Sequence, residues 1–331
     1  MKYGTVIDLF VRALRHAGVE VDHRVVDPEE SLDDYDALWL GISPLHSMSS
    51  RYHFGALDAL VRAKKMGLPR VYWIDDWQTH LLEAGYKTLL KTPTRMIKDD
   101  KLHDTRYAID WAREKPEHLD ITIEGMKILR HDPWPLTFAP FYTWGDHMSV
   151  FKSLPQITSE NLVTVDPSMY ADAYEIRPLP DNQRDRQWVL GILSNQLEWA
   201  ATLRTQWPLD LIGGRASRAE QKMKESELIQ HYSEKWGVLS PPYWHIGSGW
   251  WRNRFVYSAY AGCIIAGDPR EGAPCSAAYT YPPEAVEDWS NEQLRQLADW
   301  QKRDLVSQMM TRAEVQETLK STFEKAIKEG A

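Results

Sequence analysis

Two cysteines are all that the 331-residue chain contains, Cys263 and Cys275. So small a number excludes a disulfide framework and points to a reducing cytoplasm. Long hydrophobic runs are missing as well: no stretch reaches the roughly 20 apolar residues that a membrane-spanning helix needs, and none reads as a secretory signal. The 11 histidines are scattered, with no Cys or His pair at zinc-ligand spacing, so no metal ligands are assigned. Excess positive charge is absent too. Thirty-nine Lys and Arg against 47 Asp and Glu leave a net charge of −8, which excludes a protein coated in positive potential and confines any nucleic-acid contact to a local patch.

What is present is the composition of an ordinary globular protein, 43% hydrophobic and 26% charged, in a chain long enough for two domains. The best local basic patch is Lys87, Lys91, Arg95, Lys98 and Lys101, which Pro93 keeps off a single unbroken helix. It is either a track for phosphates or a solvated surface. Tryptophan is abundant, with 15 copies, and Trp134, Trp144, Trp250 and Trp251 stand beside glycine or proline, where loops rather than cores are expected. An exposed Trp can stack on a base or sugar; packing between helices and sheet is its commoner use.

Helical spacing of Val6, Leu9, Phe10, Ala13, Leu14 and Ala17 predicts a first helix stopped by Gly18. A strand is expected near Val19–Val26 and another over Asp36–Ile42. The exit loop Ser43-Pro44-Leu45-His46 then leads to a helix carrying Leu57, Leu60 and Val61 and ended by Gly67 and Pro69. Val71-Tyr72-Trp73-Ile74 reads as a third strand with Asp75 and Asp76 at its carboxyl end, completing a βαβ series. From Asp99 to Pro140 charge and proline rise and periodicity fades, which predicts irregular helices or a flap. Order returns with a strand at Asn161–Ser168, and Arg177–Asn182 has the composition of an interdomain connection. A second series follows: strand Trp188–Ile192, helix Leu197–Gln206, and strand Leu209–Ile212 closed by Gly213 and Gly214.

The most informative stretch runs from Asn253 to Pro269, because it reads as helix, glycine stop, buried strand and strand-end loop. Ser258, Ala259, Ala261 and Gly262 are small enough to let a helix lie close to a parallel strand, and Ile264-Ile265 is the apolar run of a strand covered on both faces. Ligands of open parallel sheets bind beyond the carboxyl ends of strands, and Arg252 and Arg254 at the start of the preceding helix are of the type that meets a phosphate. The expected architecture is α/β: two Rossmann-like domains facing a central cleft. The first spans residues 1–175 and the second 176–310, with a terminal helix at 311–331 crossing back to the first.

Several of these segments carry a family resemblance. They are Asp34-Tyr35-Asp36-Ala37-Leu38-Trp39 before the second strand, Val71–Asp76 with its strand-end acid, Leu209–Gly213, Arg254 before the Ala261–Asp268 strand, and the tail Phe323-Glu324-Lys325-Ala326-Ile327. Together they resemble the GT-B glycosyltransferases, and among them the phage enzymes that glucosylate modified pyrimidines in DNA. The resemblance implies inverting transfer of a sugar from a nucleotide donor, a UDP-sugar, to the hydroxyl of 5-hydroxymethylcytosine or a similar base flipped out of double-stranded DNA. It implies a monomer with no membrane attachment, working in the cytoplasm of an infected bacterial cell. A divalent cation such as Mg2+ is compatible with this chemistry and is not required by the fold.

The resemblance places a general base at Asp76 or, with a one-residue shift, Asp75. A hydroxyl nucleophile needs an acceptor for its proton, and adjacent carboxylates hold one another's pKa up; the same pair could equally cap the following helix. Arg254 takes the donor phosphates, whose negative charge grows as the diphosphate leaves. Tyr257, Ser258, Ser194, Asn195 and Gly213 fall on the donor side, and His46, Ser47, Arg51, Lys91, Arg95 and Lys98 on the acceptor and DNA side. Three departures stand out. Tyr257 replaces the glutamate that holds donor ribose hydroxyls in the family. The Gly-rich, arginine-bearing loop is shortened to Gly191–Gln196; Arg204, Arg215 or Arg218 could supply the missing charge or are simply surface arginines. The chain opens on a helix where the fold opens on a strand, so that strand is either lost or precedes the first residue here. Two other readings stay open: a GT-B enzyme for a glycan or small metabolite, which the acidic net charge favours, and a non-catalytic module that binds a nucleotide or DNA.

Overall fold

Among the described residues of the computed structural model, eight strands form two four-stranded sheets in which every pairing is parallel. The described residues are 5–23, 30–41, 51–73, 116–140, 157–158, 160–165, 177–192, 201–202, 204–213, 225–239, 253–266, 283–307 and 309–329. Contacts divide the chain into an N-terminal unit (Val11–Phe141, Met148–Val165 and Ala313–Ala331) and a C-terminal unit (Met1–Phe10, Tyr142–His147 and Asp166–Arg312).

The N-terminal unit holds β1 (Leu38–Gly41), β2 (Arg70–Trp73), β3 (Leu136–Pro140) and β4 (Leu162–Val165) in that spatial order. Its helices are α1 (Thr5–His16), which enters this unit at Val11, α2 (Arg51–Met66) and α3 (Pro116–His131). The C-terminal unit holds β5 (Asp185–Ile192), β6 (Leu209–Gly213), β7 (Lys235–Leu239) and β8 (Ile264–Ala266) in the order β6-β5-β7-β8. With them run α4 (Glu225–Ser233), α5 (Asn253–Tyr260) and α6 (Asn291–Ser307). The terminal helix α7 (Arg312–Glu329) is assigned to the N-terminal unit from Ala313 on, where Phe323 stacks on Trp39 of β1 at 5.9 Å, and Trp39 in turn stacks on Phe138 at 5.0 Å.

The expected helix stops at Gly18, Gly67 and Gly262 are all present. Each glycine has positive φ (86°, 71° and 73°), a region that costs a side chain its Cβ clearance. Each sits in a Schellman turn, as in Cys263 N–H to Ser258 C=O (2.9 Å) with Gly262 N–H to Ala259 C=O (3.2 Å).

Three expectations need correction. Residues 19–23 carry no strand, while 24–26 lie outside the described residues. The stretch from Asp99 to Pro140 is not irregular at its end: it contains α3 and β3, and β3 is a strand because β2 and β4 flank it, at Trp73↔Phe138 and Phe138↔Val163. Trp134 is no loop platform but a core residue with 0% exposure; it stacks on Tyr72 at 4.7 Å while its Nε1 donates to the Leu129 carbonyl at 3.1 Å.

The C-terminal core lies under α6. Trp188, Leu190, Leu209, Trp236, Leu239, Ile264 and Ala266 from the sheet meet Leu294, Leu297 and Ala298 from the helix. At the buried start of β7, Lys235 is tolerated because its ammonium reaches Asp185 at 2.7 Å and Gln187 at 3.1 Å.

Candidate functional site

The order β6-β5-β7-β8 reverses direction at β5: the chain steps from β5 to β6 on one side, then crosses back to pair β7 on the other. A reversal of this kind leaves a crevice at the carboxyl ends of the two strands it separates, the usual ligand position in open parallel sheets. The register aligns those ends. Ile192 is opposite Gly213, Leu190 opposite Leu239, and Leu239 opposite Ala266. Ser194 and Asn195 follow Ile192 by two and three residues in the sequence and lie outside the described residues.

Helix α5 reaches the same edge. It joins β8 through Ala261-Gly262-Cys263 alone, so it runs back against the strand and begins where the strands finish. Its eight residues span about 12 Å at 1.5 Å per residue, comparable with the roughly 10 Å of a three-residue strand. Arg254 stands in its first turn. The carboxyl edge therefore combines the reversal, Gly213 and the arginine-bearing start of α5, an arrangement chemically suited to an anion.

Tyr257 and Ser258 are placed differently from the other donor-side candidates: they are 3% and 0% exposed, in a run from Phe255 to Ala259 that is buried throughout. Cys263, at the other end of α5, is a free thiol, and burial pushes its pKa up to about 11 against the opposing pull of Arg184, so it is no nucleophile near neutral pH. Asp75, Asp76, His46, Ser47, Lys91, Arg95 and Lys98 lie outside the described residues; Arg51 is the first residue of α2. Among the described residues, no three His, Cys, Asp or Glu side chains are grouped to hold a metal ion, and no helix is long and apolar enough to cross a membrane.

A cavity of about 870 Å³ in the N-terminal unit is at the wrong end for this chemistry. It opens beside the residues that precede β1, and Glu20, Asp22, Asp34, Asp36 and Glu324 line it against the single cation Lys320. Such a lining repels phosphate.

Comparison with solved structures places this layout. A complex of T4 phage β-glucosyltransferase with UDP and Mn2+ matches with a TM-score of 0.61 at 13% identity, covering 97% of this chain and 93% of that one. Its complex with the substrate UDP-glucose matches at 0.58 and 12% identity, covering 99% and 96%. A structure of the DNA-modifying enzyme β-glucosyltransferase with and without uridine diphosphoglucose matches at 0.54 and 11% identity, covering 97% and 93%. The fold is GT-B. No protein-family model matches the chain, and no curated protein matches it in sequence.

Two contributors to this GT-B half carry no sequence signal. Arg184 sends its guanidinium over the Trp236 ring at 4.4 Å and donates to the Lys235 carbonyl at 2.5 Å, beneath the α5–β8 turn. Gln301 is a fully buried amide in α6, bonded to both backbone groups of Ile265. In the sequence each is one polar residue among many, because what marks it is its partner.

Proposed function

We propose that the protein is an inverting glycosyltransferase that moves a sugar from a UDP-sugar to the hydroxyl of a modified pyrimidine, 5-hydroxymethylcytosine or a similar base, in double-stranded DNA. One observation carries the reading. The structural likeness extends over 97% of the chain, through both units, to an enzyme whose structures hold UDP and UDP-glucose and which is described as DNA-modifying.

In this reading Asp76, with Asp75 beside it, takes the proton of the base hydroxyl as that oxygen attacks the anomeric carbon from the face opposite the diphosphate. One carbon–oxygen bond forms as the bond to UDP breaks, which inverts the centre. The departing diphosphate gains negative charge, and Arg254 at the start of α5 is the cation assigned to it. Ser194, Asn195 and Gly213 border the donor at the carboxyl ends of β5 and β6. Tyr257 and Ser258 shape that border through the packing of α5. His46, Ser47 and Arg51 are assigned to the acceptor, and Lys91, Arg95 and Lys98 to DNA phosphates. No step depends on a divalent cation, and the protein acts as a monomer in the host cytoplasm.

The decisive experiment incubates the protein with duplex DNA carrying 5-hydroxymethylcytosine or 5-hydroxymethyluracil and a panel of nucleotide sugars, followed by digestion and nucleoside mass measurement. A gain of one sugar mass identifies base and donor together. No gain on either base, alongside slow donor hydrolysis, moves the acceptor to a glycan or metabolite, the reading that the net charge of −8 favours. Salt separates the two: each phosphate neutralised contributes a slope of about −0.9 in log K against log salt, so replacing Lys91, Arg95 and Lys98 together should flatten the slope by up to about 3 if the acceptor is DNA.

A further inference from the structure

The segment from Asn253 to Ala266 is one mechanical piece, a helix and a strand joined by a three-residue turn, and α6 grips it at two adjacent residues. Among the described residues, strand β8 is the edge of its sheet, three residues long and paired with β7 alone. Neighbouring residues of a strand turn their backbone groups to opposite edges, so a terminal strand presents one residue's N–H and C=O with no strand to receive them. At β8 that residue is Ile265, and the fully buried Gln301 receives both groups. Its Oε1 accepts from the Ile265 N–H at 2.8 Å and its Nε2 donates to the Ile265 carbonyl at 2.9 Å. One residue further along α6, the Lys302 ammonium lies 4.5 Å from the ring centroid of Tyr260, the last residue of α5.

We infer that Gln301 is a positioning residue for the donor diphosphate: it fixes the height of β8 along β7 and thereby the place of Arg254 at the far end of α5. The inference rests on the function proposed above, in which Arg254 meets the diphosphate. A donor and an acceptor aimed at one residue specify register, because Ile264 and Ala266 present their groups toward β7. A slip of one residue would carry the α5–β8 piece about 3.3 Å along the sheet, and displacements near 1 Å already cost catalysis about a hundredfold. The sheet itself does not need this clamp, since β5 and β7 are each paired on both sides.

The test is calorimetric titration of UDP into wild type, Gln301→Leu and Gln301→Glu, per folded molecule as judged by near-ultraviolet circular dichroism, with steady-state kinetics on donor and DNA. Gln301→Leu should weaken UDP and, because Arg254 also meets the charge that grows on the leaving diphosphate, lower kcat/KM for the donor by about tenfold or more, leaving the DNA KM within about twofold. Gln301→Glu keeps the size and the acceptor but loses the donor while ionised. Burial favours the protonated acid, which restores it, so the deficit relative to wild type should shrink between pH 8 and pH 6. This second variant decides the matter where the first does not fold. UDP affinity within twofold of wild type in the folded variants, whatever their stability, overturns the positioning role alone. A wild-type protein that binds no UDP overturns the proposed function and this inference with it.

Discussion

Trp188 occupies the space where any residue other than glycine at position 237 would carry its Cβ. The two face each other across β5 and β7, and a Cβ on Gly237 would stand 2.1 Å from Trp188 Cε3 and 2.2 Å from Cδ2. The bare backbone of β7 thus admits an indole that anchors the core under α6.

Gly237→Ala should consequently displace Trp188, at a cost of about 1–3 kcal/mol or more for overpacking a filled core. Urea unfolding followed by tryptophan fluorescence measures it. A midpoint equal to wild type would mean that the indole shifts without loss and that the close approach is dispensable.

A second expectation concerns acid. Asp132 follows α3 and joins Lys64 of α2 (2.9 Å) to Arg70 of β2 (3.2 Å). Burial would raise its pKa, but the hydrogen bonds and charges of Lys64 and Arg70 outweigh it and hold the carboxyl below its ordinary value. A depressed folded pKa contributes stability above the unfolded aspartate value of about 3.9 and loses it as pH falls through the lower folded value. Asp132→Asn should therefore be less stable than wild type at pH 7, and the gap should close toward pH 3.

The Cys263 thiol offers a probe of opening. Burial raises its pKa to about 11, and the sulfur donates to the Tyr232 carbonyl at 3.0 Å. In a Cys275→Ser background a thiol reagent at pH 8 should label nothing in the native protein and one site after denaturant. Rapid native labelling would show that the α5–β8 turn opens readily.

Asp76→Asn separates chemistry from binding. Loss of a general base costs about 10²–10⁴-fold in rate, so turnover should fall by that factor while UDP affinity holds. Unchanged turnover in Asp76→Asn with a collapse in Asp75→Asn would move the base by one residue; unchanged turnover in both would remove it from this strand end.

Much of the fold was legible because its signals are local. The stops at Gly18, Gly67 and Gly262 need only a residue tolerant of positive φ, and β1, β2, β5, β6 and β8 announce themselves as short apolar runs. Strands β3 and β7 did not. Leu136-Thr137-Phe138-Ala139-Pro140 sits among prolines and is a strand through its neighbours on both sides. Lys235-Trp236-Gly237-Val238-Leu239 begins with a lysine whose partners, Asp185 and Gln187, are some fifty positions away in the chain (separations 50 and 48), and contains a glycine explained only by Trp188.

The sequence by itself determined the α/β class, the succession of helices and strands around Asn253–Pro269, and the absence of a disulfide scaffold, since periodicity, small residues and cysteine count act over a few neighbouring positions. The tertiary structure alone decided the reversal of strand order at β5, the burial of Tyr257 and Ser258, and the clamp of Gln301 on Ile265, 36 positions away. Those features depend on which edges and faces meet. Strand order and the pairing of buried polar groups are properties of contacts between segments distant along the chain, and no short stretch of residues encodes them.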